Sequence, residues 1–324
     1  MAAAVAGGQD SQSAISSTRL SDSVLVVDGP NFERHCVAVS TGEGVVVIES
    51  LFSTDAADEA RRLIESTFSE PVRAVINTHC HPDHSFGNTA FADVPIIAQS
   101  GYQARMQMVI EGWSGILTQQ IDSLTAQLAE TAEGSQDAAS LHDALEQSRQ
   151  TLDFLHNSYV LPSVYVDAGM TLTFGGKEIQ VLFFGPGHTD HDLVVWVPSE
   201  KLLVMGDLLF GAGYFPYTDE SLGGSTANWV ATLDRLLQTC AEAEHVVPGH
   251  GKVGGLELIR AERQVFQDLL DAAAEARSRG LTLEQALEEV WLEQYRSYAW
   301  YDFRHDENLT AAWHALEELE GQTR

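Results

Sequence analysis

Apolar residues come in short runs through the first hundred positions. VLVV (24–27), CVAV (36–39) and VVVI (45–48) each have the length of a strand and contain no polar residue. Unbroken apolar runs of that length fit strands covered on both faces. The period then changes. Ser53 or Thr54 is placed to cap a helix running to about residue 69, with acids in its first turn and Ala56, Ala60, Leu63, Ile64 and Phe68 along one face. A strand over 74–76 follows, then a polar loop dense in histidine and aspartate, then a strand over 96–99. Strand, helix and strand at this spacing predict an α/β layered fold.

Residues 101–160 break that rhythm. Leu117, Ile121, Leu124 and Leu128 recur at helical spacing, Leu141, Leu145, Leu152 and Leu155 give a looser second seam, and the polar stretch 133–137 parts them. This predicts an antiparallel helical hairpin inserted into the α/β body, with packing, a lid or a dimer arm as its possible roles. Strand texture returns over 171–174, turns at Gly175-Gly176 into 179–184, and continues over 193–197 and 202–205. A helix over 225–239 would bury Trp229, Leu233, Leu236 and Leu237, ahead of a strand at 245–247. The remainder reads as helical, with Thr282 and Gln285 spaced as a capping box. The expected organisation is a disordered arm over 1–21, a catalytic body over 22–255 and a helical extension over 256–324 packed on the same domain.

Charge narrows the range of partners. Acids outnumber bases 47 to 18, for a formal charge of −29. Such a surface repels nucleic-acid backbones and anionic membranes. Three scattered cysteines, Cys36, Cys80 and Cys240, make no disulfide framework and point to a reducing compartment. No basic-then-apolar leader opens the sequence, and no apolar run approaches the roughly 18 residues of a membrane span. A cytoplasmic protein acting on a small-molecule or carrier-bound acyl substrate is the expectation.

Candidate chemistry lies in four loops, each just after an expected strand. They carry His79-Cys80-His81-Pro82-Asp83-His84, then Gly187-His188-Thr189-Asp190, then Gly206-Asp207, and finally Pro248-Gly249-His250-Gly251. Imidazole and carboxylate are the donors that zinc, iron(II) and manganese accept in hydrolytic sites. Burying so many of them without a cation would cost several kcal/mol in desolvation. Among the neighbours, His191 is read as an exposed turn residue rather than a further ligand or proton shuttle. Alternation turns Cys80 away from the ligands as a buried thiol. Asp190 and Thr189 are expected to orient His188 or its loop. Tyr214 is read as a packing aromatic ahead of an oxyanion donor, and Gly87 and Asn88 as residues that tighten the turn behind the first loop. Tyr298, Trp300, Tyr301 and Phe303 are expected in the core.

NTHCHPDHSFGN (77–88), GPGHTDHDLVVWVPSEKLLVMGD (185–207) and VVPGHG (246–251) resemble the metallo-β-lactamase superfamily. Within it they are similar to the glyoxalase II-like hydrolases, including metallohydrolases found alongside quinoprotein and sulfur-oxidation systems. The resemblance covers about residues 22–255. It implies a four-layer αβ/βα sandwich carrying the inserted hairpin, and a dinuclear site holding two Zn2+ per chain, with Fe or Mn as alternatives. By the same resemblance His79, His81 and His188 take one ion, Asp83, His84 and His250 the other, and Asp207 bridges; Asp83 and Asp207 are the catalytic carboxylates. β-Lactamases of this fold generally lack the Asp207 carboxylate, flavodiiron proteins place Glu at the His81 position, and glyoxalase II carries a basic C-terminal domain where this chain is acidic. The implied activity is hydrolysis of an ester, thioester or lactone by a hydroxide generated between two ions. A thioesterase or cyclase acting on an acyl or polyketide chain falls within that reading, and a homodimer is possible. The alternative is a mononuclear iron oxidoreductase resembling persulfide dioxygenases, which share the HxHxDH pattern.

Overall fold

The computed structural model describes residues 15–29 and 34–322. Seven strands form one sheet in sequence order: β1 (Ser16–Arg19), β2 (Val24–Asp28), β3 (His35–Ser40), β4 (Val45–Ile48), β5 (Val72–Ile76), β6 (Ile96–Gln99) and β7 (Val164–Val166). Pairing is antiparallel from β1 to β4 and parallel from β4 to β7. A second sheet is built from β8 (Gly169–Phe174), β9 (Lys177–Phe183), β10 (Leu193–Val197), β11 (Leu202–Val204) and β12 (His245–Val247), in the order β12-β11-β10-β9-β8.

The sheets pack face to face, and strand alternation shows how. In β10, Leu193, Val195 and Val197 enter the core between the sheets, while Val194 and Trp196 join the helical layer outside. Sheet one repeats the pattern, with Val37 and Val39 facing inward and Cys36 and Ala38 facing α1 (Thr54–Phe68). Both faces are dry, so the strands read as apolar runs without a polar side. Outside sheet two lie α5 (Thr226–Thr239), α6 (Leu256–Ser278) and α8 (Tyr301–Gln322), with α7 (Leu283–Glu289) packed against α8. The result is two sheets flanked by helices, the sandwich that the motifs implied.

Local signals hold in detail. Ser53 Oγ accepts from Ala56 N–H at the start of α1, and Thr282 and Gln285 form a reciprocal capping box. A single turn, α2 (Pro82–Ser85), lies within the first candidate loop, and the inserted segment is two helices, α3 (Tyr102–Glu130) and α4 (Gln136–Asp153), folded back on each other. The first half of α3 and the segment after α4 anchor the hairpin in the body. Tyr102, Met106, Leu117 and Leu155 share a buried cluster with Cys80, Phe86 and Ala98, behind the first candidate loop.

The expected arm needs correcting at its end. Ser16–Arg19 is a strand, although residues 1–14 lie outside the described residues. It is an edge strand of largely exposed polar side chains held by its ladder with β2, and composition carries no signal of such pairing. The three-residue β7, reached through a π-helical turn at Phe154–Ser158, was equally invisible in the apolar pattern. Among the described residues, no helix is long and apolar enough to cross a membrane.

Candidate metal centre

Parallel pairing puts the chemistry at one edge. β4 and β5 run together in sheet one, and β9, β11 and β12 run together in sheet two. The loops leaving β5, β9, β11 and β12 carry the candidate residues and meet where the two sheets open. Backbone hydrogen bonds sew the loops to each other. Leu193 N–H donates to Thr78 O, Asp219 N–H to His188 O, and Gly249 N–H to Gly206 O. Two glycines permit the close approach. Gly206 adopts φ +53°, and a Cβ on Gly249 would stand 1.9 Å from Asp207 Oδ1.

All seven residues come together. His79, His81, His188 and Asp207 form one group able to hold a cation, and Asp83, His84 and His250 form another. Asp207 stands between them. Its Oδ1 is 3.1 Å from His84 Nε2, and its Oδ2 is 3.8, 3.6 and 3.5 Å from the Nε2 atoms of His79, His188 and His250. Asp83 Oδ2 lies 3.3 Å from His250 Nε2 and 3.1 Å from Arg34 Nε. Six of the seven are buried; the Asp83 side chain is 22% exposed and forms the mouth.

The donor set fits divalent cations on its own evidence. His79 Nε2, His84 Nε2 and Asp207 Oδ1, all on the inner side of the cluster, are buried and lack a hydrogen bond. Native cores leave few such atoms unpaired, and a cation satisfies several at once. Electrostatics agree. Burial, reinforced by the neighbouring His84, holds His79 well below its ordinary pKa, in the neutral form that ligates. Burial would also lower His84, but Asp207, Asp83 and Glu49 outweigh it and push it up to about 10, so a proton there stands in for a cation. Burial pushes Asp207 up, and the facing imidazoles of His84 and His250 bring it well below the usual carboxylate range.

Two contributing acids were not anticipated. Glu49 follows β4 at φ +69°, accepts from Thr78 N–H at 3.0 Å, and places Oε2 3.8 Å from His84 Nδ1. Burial raises it to about 7. A charged residue closing the apolar run VVVI was its sequence signal. Asp219, on a turn before α5, bonds His81 Nε2 at 3.0 Å and had no signal at all.

The other neighbours divide. Cys80 turns into the hairpin-base cluster, where burial raises its thiol well above the ordinary value. Asn88 forms a buried amide pair with Asn77 and accepts from Ser50 Oγ at 2.8 Å, and a Cβ on Gly87 would meet Ser50 O at 1.8 Å. His191 is fully buried rather than exposed, because its ring bonds the Cys80 backbone and Asp190. Neither Thr189 nor Asp190 orients the His188 ring. Its Nδ1 bonds the Tyr217 carbonyl, while Thr189 binds Asp192 and Asp190 binds His191 and Arg105. The C-terminal aromatics also split. Tyr301 is core, Phe303 is 55% exposed, and Trp300 lies 4.8 Å ring-to-ring from His250 and 5.1 Å from the Tyr214 ring.

Residues 29–250 match the model of the metallo-beta-lactamase superfamily, and the chain belongs to that superfamily of metal-dependent hydrolases. It is 25% identical over 227 residues to a metallo-beta-lactamase type 2 of Bacillus sp. (strain 170), spanning 69% of this chain and 68% of that protein. It is 22% identical over 267 residues to a linear primary-alkylsulfatase of Pseudomonas sp. (strain ATCC 19151), covering 78% of this chain and 49% of that protein. A metallo-beta-lactamase structure from Pontibacter korlensis superposes with TM-score 0.57 at 21% identity, covering 78% of this chain and 99% of that one. A sec-alkylsulfatase structure from Pseudomonas sp. superposes with TM-score 0.63 at 17% identity, over 93% of this chain and 50% of that one. At these identities the structures share the fold.

Proposed function

We propose that this chain is a two-metal hydrolase cleaving an acyl ester, thioester or lactone, with His79, His81 and His188 on one ion, Asp83, His84 and His250 on the other, and Asp207 between them. The observation that carries the reading is the position of Asp207, whose two oxygens face imidazoles of both triads at 3.1–3.8 Å. A pair of divalent cations, zinc above all, supplies Lewis acidity there and lowers the pKa of water towards about 7.

The chain's own groups do the rest. Asp207 keeps the two triads at a fixed separation, and its ionised carboxylate offsets the positive charge. Asp219 and the Tyr217 carbonyl hold the His81 and His188 rings in the tautomers that point the inner nitrogen at the centre. Burial pushes the carboxyl of Asp83, the most exposed member, upward, but His84, His250 and Arg34 bring it well below the usual range. It therefore serves as an ionised ligand, and the proton of the attacking water passes through solvent to the leaving oxygen or sulfur. Arg34 fixes that carboxylate from outside.

An uncharged acyl group suits the surroundings better than an anion. The −29 net charge repels an anionic substrate at long range.

Metal analysis of protein purified without added metal, paired with a substrate panel, tests the proposal. Acyl thioesters, p-nitrophenyl esters and lactones form one arm, alkyl sulfates and β-lactams the others, each with and without chelator. Two ions per chain and chelator-sensitive turnover in the acyl arm support it. Turnover confined to the sulfate or lactam arm overturns the substrate class. One iron with oxygen consumption replaces hydrolysis by the dioxygenase reading.

A further inference from the structure

His191, Asp190 and Arg105 make a continuous chain of hydrogen bonds from the inserted hairpin to the first candidate loop. Arg105, on the first turn of α3, donates from Nε to Asp190 Oδ2 at 3.0 Å and makes a second bond from its Nη2 to the same oxygen. Asp190 Oδ1 lies 2.9 Å from His191 Nδ1, and His191 Nε2 accepts from Cys80 N–H at 3.2 Å. The two ends fix the tautomer. A backbone N–H can only donate, so Nε2 carries no proton, and Nδ1–H donates to Asp190. The peptide thus held joins His79 to Cys80, in the two-residue stretch of backbone that links His79 to His81.

The node is tightly packed around His191, which is fully buried. The Tyr102 ring stands edge-on 5.9 Å from His191, and a Cβ on Gly101 would touch the His191 Cβ at 3.4 Å. A Cβ on Gly223 would fall 2.8 Å from Asp190 Oδ2 and 2.9 Å from Arg105 Nη2. Asp190 N–H donates to Leu222 O, in the turn that begins at Asp219, the acid bonded to His81. The base of the hairpin therefore meets both the backbone between two candidate ligands and the turn behind one of them.

We propose that His191, Asp190 and Arg105 are positioning residues through which the inserted hairpin sets the geometry of the His79–His81 ion site. The inference rests on the metal reading above and assigns the hairpin base a role beyond packing. A loop peptide free to rotate would let the two imidazoles spread. Locking it from the far side keeps both inner nitrogens on one centre, as outer partners do for directly bound rings.

The test uses the metal-stripped full-length chain. Affinity for the first zinc ion is read by competition with a chromogenic chelator, coordination by the visible spectrum of the cobalt(II) form, and scaffold integrity by the melting temperature of the metal-free protein. His191→Phe should weaken first-ion binding by about 10–100-fold and Arg105→Ala by about 10-fold, both with altered cobalt spectra. Arg105→Lys, which keeps one charged donor, should recover part of the loss. Arg105 is 28% exposed, so its variants report even where the buried His191→Phe fails to fold.

Unchanged first-ion affinity and spectrum in Arg105→Ala overturns the relay while leaving the metal reading intact. A loss that tracks a lower metal-free melting temperature, without rescue by lysine, reduces it to ordinary packing. A wild-type chain that takes up no metal removes both proposals together.

Discussion

The two halves of the candidate centre are built differently. In the half formed by His79, His81 and His188, every ring has a partner on its outer nitrogen. Thr78 Oγ1 lies 3.0 Å from His79 Nδ1, Asp219 bonds His81 Nε2, and the Tyr217 carbonyl bonds His188 Nδ1. In the half formed by Asp83, His84 and His250, the outer nitrogens of both rings are buried without a hydrogen bond, and Glu49 is 3.8 Å from His84. One half is held in place before an ion arrives. The other has its charges in place but less of its geometry. Preorganised ligands lose less freedom on binding, so the first half should be the tighter site and the second, opening to solvent through Asp83, the adjustable one.

Asp207→Ala offers the strongest way to break that comparison, since it removes the group the halves share. Leaving facing buried charges uncompensated costs about 3–5 kcal/mol. Turnover should fall by at least about 100-fold and the second ion should be lost. Near-normal steady-state turnover with two ions still bound would remove the bridging assignment. Next in size is Asp219→Ala, which strips the outer partner from His81. First-ion affinity should drop by about 10–100-fold with the second ion little affected, as read by stepwise zinc titration.

Graded chelation of the wild-type protein tests the asymmetry without a mutation. One ion should leave at about 10-fold lower chelator concentration than the other, and the cobalt-substituted protein should then keep the spectrum of the three-histidine half. Simultaneous loss would mean that the halves are equivalent. Glu49→Gln should shift second-ion affinity by less than about 10-fold, because its contact with His84 is long.

The smallest effect comes from a group remote from both halves, and it sets the acid limit within which they can be compared. Burial would raise Glu200, but bonds from Lys177, Ser21 and Ser23 hold it down at about 2. Its folded pKa lies below the unfolded value near 4.3, so its stabilisation is complete above about pH 4.3 and disappears as pH falls to about 2. The pair is partly solvated, which limits it to about 1 kcal/mol. Glu200→Gln should therefore melt about 1–2 °C below wild type at pH 7, a gap that closes near pH 2.

Much of this was legible in the chain. Apolar runs without a polar side announced strands buried on both faces, Ser53 and Thr282 marked helix starts, and four loops carrying His and Asp after strands announced the centre. What stayed hidden acts through the backbone or across the fold. His191 read as an exposed turn residue because nothing local reveals that the Cys80 peptide needs an acceptor. Trp300 read as core filler and does pack on the core, but nothing in the sequence announced its contact with His250. Ser16–Arg19 read as a free arm because ladder bonds at a sheet edge ask nothing of side chains.

The residue types alone settled which donors exist, and hence the class of cation and the hydrolytic chemistry open to it, because imidazole and carboxylate carry their chemistry wherever they stand. Folding decided which outer nitrogens find a partner, which carboxylate meets solvent and how the hairpin base reaches the ligand loop. Those properties depend on distances between residues more than a hundred positions apart, such as His81 and Asp219 or Cys80 and His191. Only the packing of two sheets at one shared edge sets such distances.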